Sequence, residues 1–153
     1  MKKMKRVSVA AFALAVSISA TAGAWGEGPF DNDDAMDWLS ECAKPSGRTA
    51  ITRAIEAALR PGYLDAEDGS IAVAAAQVIA SADGKGPKVP GPQATACFAK
   101  ANEPEVRALA PRARQALARV ADRKSSELAQ LWAEGKPSGW DSRIGELRAR
   151  LGR

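Results

Sequence analysis

The acidic side chains between residues 31 and 37 are the group in this chain whose types and spacing could do chemistry. Asp31, Asp33, Asp34 and Asp37 place four carboxylates within seven residues. Ca²⁺ and Mg²⁺ prefer oxygen ligands, so Asp31, Asp33 and Asp37 are a candidate metal site. Asp33 and Asp37 also share one helix face at i, i+4, where two carboxylates repel each other or share a proton. The segment therefore allows metal binding or carboxylate catalysis.

The same acids have a structural explanation, which we favour. An EF-hand loop needs Gly at its sixth position and Glu at its twelfth, and counting from Asp31 these positions hold Met36 and Cys42. Asp31 or Asn32 is a suitable N-cap, and the helix dipole stabilises acids in the first turns. We therefore expect the carboxylates to begin a helix first. Among the explanations of these acids, recognition of a ligand or partner ranks second and catalysis ranks last.

The remaining composition excludes several familiar chemistries. The chain has no histidine and only two cysteines, which removes the Ser-His-Asp triad, the Cys-His pair, His-ligated zinc and a Cys-only zinc site. A phosphate-binding Gly-x4-Gly-Lys-Ser/Thr loop and a Gly-x-Ser-x-Gly elbow are also missing from the sequence. We expect no cofactor and lean towards a protein that is not an enzyme.

Residues 1–22 are typical of a secretory signal peptide. Met1–Arg6 carries four positive charges, an apolar run follows to residue 20, and small residues lie at the exit. The run is too short for a comfortable membrane span. We expect a periplasmic or secreted product without stable membrane insertion after leader cleavage. Residues 23–153 would then form a single domain.

Removal of the leader changes the charge of the chain. The leader holds four of the 22 Lys and Arg residues, which leaves 18 to balance the 18 Asp and Glu residues. A neutral domain has no bulk electrostatic reason to bind nucleic acid. Residues 27–41 nevertheless hold six acids and no base, whereas 107–153 has an excess of bases. These segments are either solvated faces that meet within one fold or patches for two partners.

The elements that must position the acids are helices. Apolar residues recur every three or four positions and stop at Pro or Gly, which predicts an all-α domain of about six to seven helices. The predicted segments are a helix from the Asp31–Asp37 acids, 48–60 after a Ser46 cap, a stripe at 71–82 that begins near Asp68, a linker at 83–92, a short helix from Pro92, 103–108, 111–124, 127–134 after Ser125 or Ser126, and Trp140 to the end.

Cys42 and Cys97 lie on predicted inward faces. In an exported chain we expect them to form a disulfide. Two reduced, buried thiols are the alternative.

An irregular arm precedes the first helix, and it holds one of the four tryptophans. Trp25 and Phe30 are the expected anchors of this arm, docking near Trp132 or Trp140. Together with Trp38, the tryptophans could line a pocket for a sugar ring or a peptide. We favour core packing, and on that basis Trp25→Ala would cost about 3–5 kcal/mol.

The stretch AWGEGPFDNDDAMDWL, residues 24–39, resembles the opening of the bacterial domain-of-unknown-function family DUF4259. Looser similarity continues through 54–59, 63–65, 74–80 and 126–132. The resemblance implies a small, mostly helical domain and brings no activity with it. The leader and the two cysteines are departures from the family members.

These observations lead to two functional expectations. The first is a non-enzymatic protein-interaction module, similar at best by analogy to an inhibitor or immunity protein. Its tentative binding residues are Trp25, Asp31, Asn32, Asp33, Asp34, Asp37 and Trp38. The alternative is a carboxylate-based metal-binding protein or hydrolase that uses the Asp31–Asp37 cluster. The identity of the partner and the oligomeric state stay open.

Overall fold

Eight α-helices make up the chain in a computed structural model that describes residues 24–153, apart from the side chain of Asp83. They are α1 (Asp33–Ala43), α2 (Gly47–Leu59), α3 (Ala66–Ile79), α4 (Pro92–Ala99), α5 (Pro104–Arg107), α6 (Ala110–Val120), α7 (Glu127–Glu134) and α8 (Trp140–Arg150). Short 3-10 turns span Ala82–Gly84 and Lys100–Asn102. The all-α prediction is confirmed for these residues, with eight helices against an expected total of about six to seven, one for each helical segment predicted from the sequence. The predicted leader lies outside the described residues.

Most helix starts follow the expected chemistry. Asn32 caps α1, since its Oδ1 accepts a hydrogen bond from the backbone N–H of Ala35 at 2.8 Å. Ser126 caps α7 in the same way, by accepting from Ala129 N–H at 3.4 Å. Helices α4 and α5 begin with Pro92 and Pro104, whose missing N–H is harmless in the first turn.

Two predicted boundaries and one predicted cap were wrong. Helix α3 begins before Asp68, because the Asp65 carboxylate caps it by accepting from Asp68 N–H at 2.8 Å. Ser46 precedes α2, but its side chain makes no capping hydrogen bond. Helix α6 ends at Val120 rather than Lys124, since the Asp122 carboxylate accepts from Lys124 N–H at 3.0 Å and turns the chain.

Helix α3 is the centre of the fold and is not the amphipathic helix that its sequence predicted. Eleven of its fourteen residues are buried, and α1, α2, α6, α7 and α8 all pack against it. Its many alanines allow these neighbours to approach closely from several sides. Its buried Gln77 is satisfied, because it donates to Ser81 Oγ at 3.0 Å and accepts from Arg150 at 2.6 Å.

A disulfide between Cys42 and Cys97 joins α1 to α4, as predicted. Both residues are fully buried, and their Cα atoms are 5.1 Å apart. The bond closes a loop with a sequence separation of 55 residues, for which loop-closure entropy gives about 4 kcal/mol. The bond therefore fixes the orientation of α1, which carries the acidic side chains. Within residues 24–153, no helix is long and apolar enough to cross a membrane.

Candidate interaction site at the arm and the first helix

The arm, residues 24–32, folds around the side chain of Asp31. The Asp31 carboxylate accepts a hydrogen bond from Gly28 N–H at 2.8 Å, and the Asp31 carbonyl accepts one from Trp25 N–H at 2.9 Å. A Cβ atom on Gly26 or Gly28 would lie 2.5 or 2.6 Å from Asp31 Oδ2, so a side chain at either position would force the loop to shift. The Trp-Gly-x-Gly spacing of the arm is therefore a structural requirement.

Glu27 fastens the arm to the C-terminal helix. Its carboxylate accepts hydrogen bonds from Gly139 N–H at 2.9 Å and from Arg143 Nε at 3.1 Å. The hydrogen bond from Gly139 and then the one from Arg143 hold the pKa of Glu27 below its ordinary value of 4.5. Because Gly139 is the N-cap of α8 and has no side chain, the arm supplies the negative charge that this helix start favours.

Sequence reasoning missed the role of Glu27. The only signal was a helix start that had no capping side chain of its own, and the acid that supplies the cap lies 112 residues away.

Phe30 is the buried anchor of the arm, although not where we expected it. It is 7% exposed and packs on Phe98 of α4 with ring centroids 5.6 Å apart. The expected contact with the C-terminal helices is made instead by neighbouring arm residues. Ala24, Gly26 and Glu27 lie against Trp132 and Trp140 around a small cavity of about 20 Å³.

Trp25 is not an anchor, and this correction bears on function. Its side chain is 62% exposed, although its backbone is held by Asp31. Trp132 and Trp140 stack on each other with ring centroids 6.1 Å apart, and the arm residues that line the cavity beside them are Ala24, Gly26, Glu27, Gly28, Pro29 and Asn32, without Trp25. The indole therefore lies on the surface beside the start of α1.

The carboxylates of α1 form an acidic surface next to Trp25. Asp33 and Asp37 are exposed and Asp34 is half-buried. None of the three forms an ion pair with any described residue. Burial, followed by repulsion from Asp33, Asp37 and Asp65, raises the pKa of Asp34. Asp34 lies in the first turn of α1, where the helix dipole favours an acid, while burial and the neighbouring carboxylates oppose its charged form.

The structure does not bring the proposed metal ligands together. Asp31 is turned into the arm, away from a shared site with Asp33 and Asp37. Across residues 24–153, no group of three acidic, Cys or His side chains is placed to hold a metal ion. Asn32 serves as the cap of α1.

Trp38 lies on the other side of the acidic surface, at the edge of a groove. It is 8% exposed and belongs mainly to the core, where we expected it. The groove has a volume of about 500 Å³ and runs between α1, α2 and α3. Its lining consists of Trp38, Glu41, Ser46, Thr49, Ala50, Arg53, Ala54, Glu56, Ala57, Arg60, Asp68 and Ile71.

The fold and the arm define a small all-α domain closed by a glycine-containing N-terminal loop. The chain belongs to the DUF4259 family, a domain of unknown function, whose sequence model matches residues 23–142. The resemblance seen in residues 24–39 is thereby confirmed. Searches of curated proteins and of solved structures found no match.

Proposed function

We propose that this protein is an exported, non-enzymatic interaction module that binds a protein partner through its arm surface. We define the arm surface as Trp25 with Asp33, Asp34 and Asp37. The observation that carries the proposal is the exposure of Trp25, which is 62% accessible in an arm whose other aromatic residue is buried.

The chemistry of the arm surface suits a protein interface. Tryptophan is enriched among the residues that dominate binding energy, because it offers a large apolar area with little conformational freedom to lose. The adjacent carboxylates of α1 are without basic partners in the described chain. Complementary charge guides association and selects partners, so the partner's contact face is expected to be basic.

Export is supported by three independent features. The first 22 residues have the charge and apolar pattern of a leader. The match to the family begins at residue 23, directly after this segment. Cys42 and Cys97 lie at disulfide distance, as is common in oxidising compartments. We therefore propose that the product is periplasmic or secreted. An inhibitor or immunity-like role is an analogy within this proposal.

The chain offers a matched control for testing the proposal. Tyr63 is a second exposed aromatic residue, 59% accessible against 62% for Trp25. Affinity capture from envelope extract would compare the wild type with Trp25→Ala and Tyr63→Ala, after thermal unfolding has shown that both variants fold. We expect Trp25→Ala to lose a captured protein that Tyr63→Ala retains. Equal capture by both variants would refute the arm surface as the binding site.

A further inference from the structure

We infer that the groove between α1, α2 and α3 receives an amphipathic helix of the partner, with Lys or Arg along the side that faces α1. This inference rests on the proposed function, because it describes the chemistry of the same partner. It adds a second contact region, next to the arm surface, and a secondary structure for the segment that fills it.

The floor of the groove is shaped for a helix. Ala50, Ala54 and Ala57 lie at i, i+4 and i+7 on α2, and all three line the groove in one row. Small residues in such a row allow the side chains of a second helix to enter between neighbouring ridges. Trp38 and Ile71 supply larger apolar surface on either side of the row. An apolar helix face laid into such a groove is a recurrent mode of peptide recognition.

The dimensions agree with this occupant. The α2 residues that line the groove run from Thr49 to Ala57, which at 1.5 Å per residue is about 12 Å, or about two helical turns. The volume of about 500 Å³ falls within the roughly 300–1,000 Å³ typical of binding clefts. Three anchor side chains of a helix, spaced one turn apart, therefore match the length of the groove.

Charge determines which helix fits. Glu41 lines the groove, and Asp34 and Asp37 continue the same face of α1 at helical spacing. Glu41 is paired only with exposed Lys44, at 2.6 Å, and such surface pairs contribute little and exchange readily. Asp34 and Asp37 have no ion pair among the described residues. The α1 wall is therefore negative, and basic residues of the partner complement it.

A basic residue in the lining gives the partner helix a direction. Arg53 on α2 is exposed, lines the groove and forms no ion pair within residues 24–153. A partner helix with bases towards α1 is expected to place an acid towards Arg53. The acids of α1 and the base Arg53 therefore distinguish a helix with both kinds of charge from a peptide that binds through positive charge alone.

The test uses a labelled 14-residue peptide with Leu on one helical face and Lys along one edge of that face. A second peptide has the same composition in scrambled order, and a third carries Glu in place of Lys. Fluorescence anisotropy would measure binding of each peptide to the wild type, to Ala57→Trp, which fills the groove, and to Ala118→Trp. Ala118 is exposed on α6, outside the groove, and serves as the control.

We expect Ala57→Trp to weaken binding of the first peptide at least tenfold and Ala118→Trp to change it less than twofold. The scrambled and acidic peptides should bind at least tenfold more weakly to the wild type. Equal binding of the ordered and scrambled peptides, or no effect of Ala57→Trp, would overturn the inference. Charge attraction would then be the only explanation of the binding. If Ala57→Trp fails to fold, Ala50→Gln applies the same criterion two helical turns away in the same row.

The same variants separate this inference from the proposed function. If Ala57→Trp captures the Trp25-dependent partner as well as the wild type does, the groove inference fails and the arm surface stands. If Ala57→Trp loses a partner that Trp25→Ala retains, the arm surface fails and the groove stands. Loss in both variants supports one partner that spans both regions.

Discussion

The two aromatic residues of the arm give the sharpest prediction about stability. Phe30 is 7% exposed and Trp25 is 62% exposed. With about 200 Å² for an aromatic side chain and about 25 cal/mol per Å², burial contributes about 4.7 kcal/mol for Phe30 and about 1.9 kcal/mol for Trp25. Both figures are upper values, because the unfolded chain already buries part of this surface.

Truncation of each side chain should therefore have unequal effects. We expect Phe30→Ala to lower the free energy of unfolding by about 3–5 kcal/mol, since it also empties the contact with Phe98. Trp25→Ala should lower it by about 1 kcal/mol, and by no more than about 2 kcal/mol. Urea unfolding followed by far-ultraviolet circular dichroism would measure both variants against the wild type.

This reasoning would be refuted if Trp25→Ala lowered the free energy of unfolding as much as Phe30→Ala does, or more. If Trp25→Ala lost 3 kcal/mol or more, the indole would be an anchor of the fold, and the proposed binding surface would lose its main support. A small loss for Phe30→Ala would show that the arm does not stabilise the domain.

Three further predictions follow from the electrostatics and the disulfide. Glu27→Gln should lower the melting temperature at pH 7. Because the pKa of Glu27 is lowered by folding, its contribution is present above about pH 4.5 and is lost as the pH falls through the folded-state pKa, so the two melting curves should converge in acid. Asp34→Asn should raise stability at pH 7 by about 0.5 kcal/mol or less. Since the pKa of Asp34 is raised, that gain should disappear as the pH falls through this raised pKa in the same calorimetric series. Reduction should lower stability by about 4 kcal/mol, and a Cys42→Ala, Cys97→Ala double variant should not respond to reductant in urea unfolding.

Local sequence signals, such as capping residues and proline, were sufficient to predict most of the helices. Asn32, Pro92 and Ser126 each mark a helix start through their own backbone or side-chain chemistry, which the sequence displays directly. The disulfide was also accessible, because Cys42 and Cys97 occupied the inward faces of separate predicted helices.

The errors concern contacts between distant parts of the chain. A row of alanines looks like one apolar stripe, and nothing local shows that neighbours cover α3 on nearly every side. Trp25 was assigned to the core because large aromatics usually lie there. In the structure Trp25 is exposed, and other arm residues, among them Glu27, line the cavity beside Trp132 and Trp140.

The acidic segment begins a helix and is also part of the proposed binding surface. Asn32 and the first turn begin α1, as the sequence indicated. Burial and the neighbouring carboxylates raise the pKa of Asp34, and the proposed arm surface includes this residue. The predicted gain in stability of Asp34→Asn and its effect on partner capture should therefore have opposite signs.

The most direct test of the central claim is site-specific photo-crosslinking in exporting cells. A benzophenone amino acid would replace Trp25 in one version of the protein and the equally exposed Tyr63 in the other. The account predicts a discrete higher-mass adduct from position 25 and none from position 63. Adducts from both positions, or from position 63 alone, would contradict the claim that the arm surface is where this protein meets its partner.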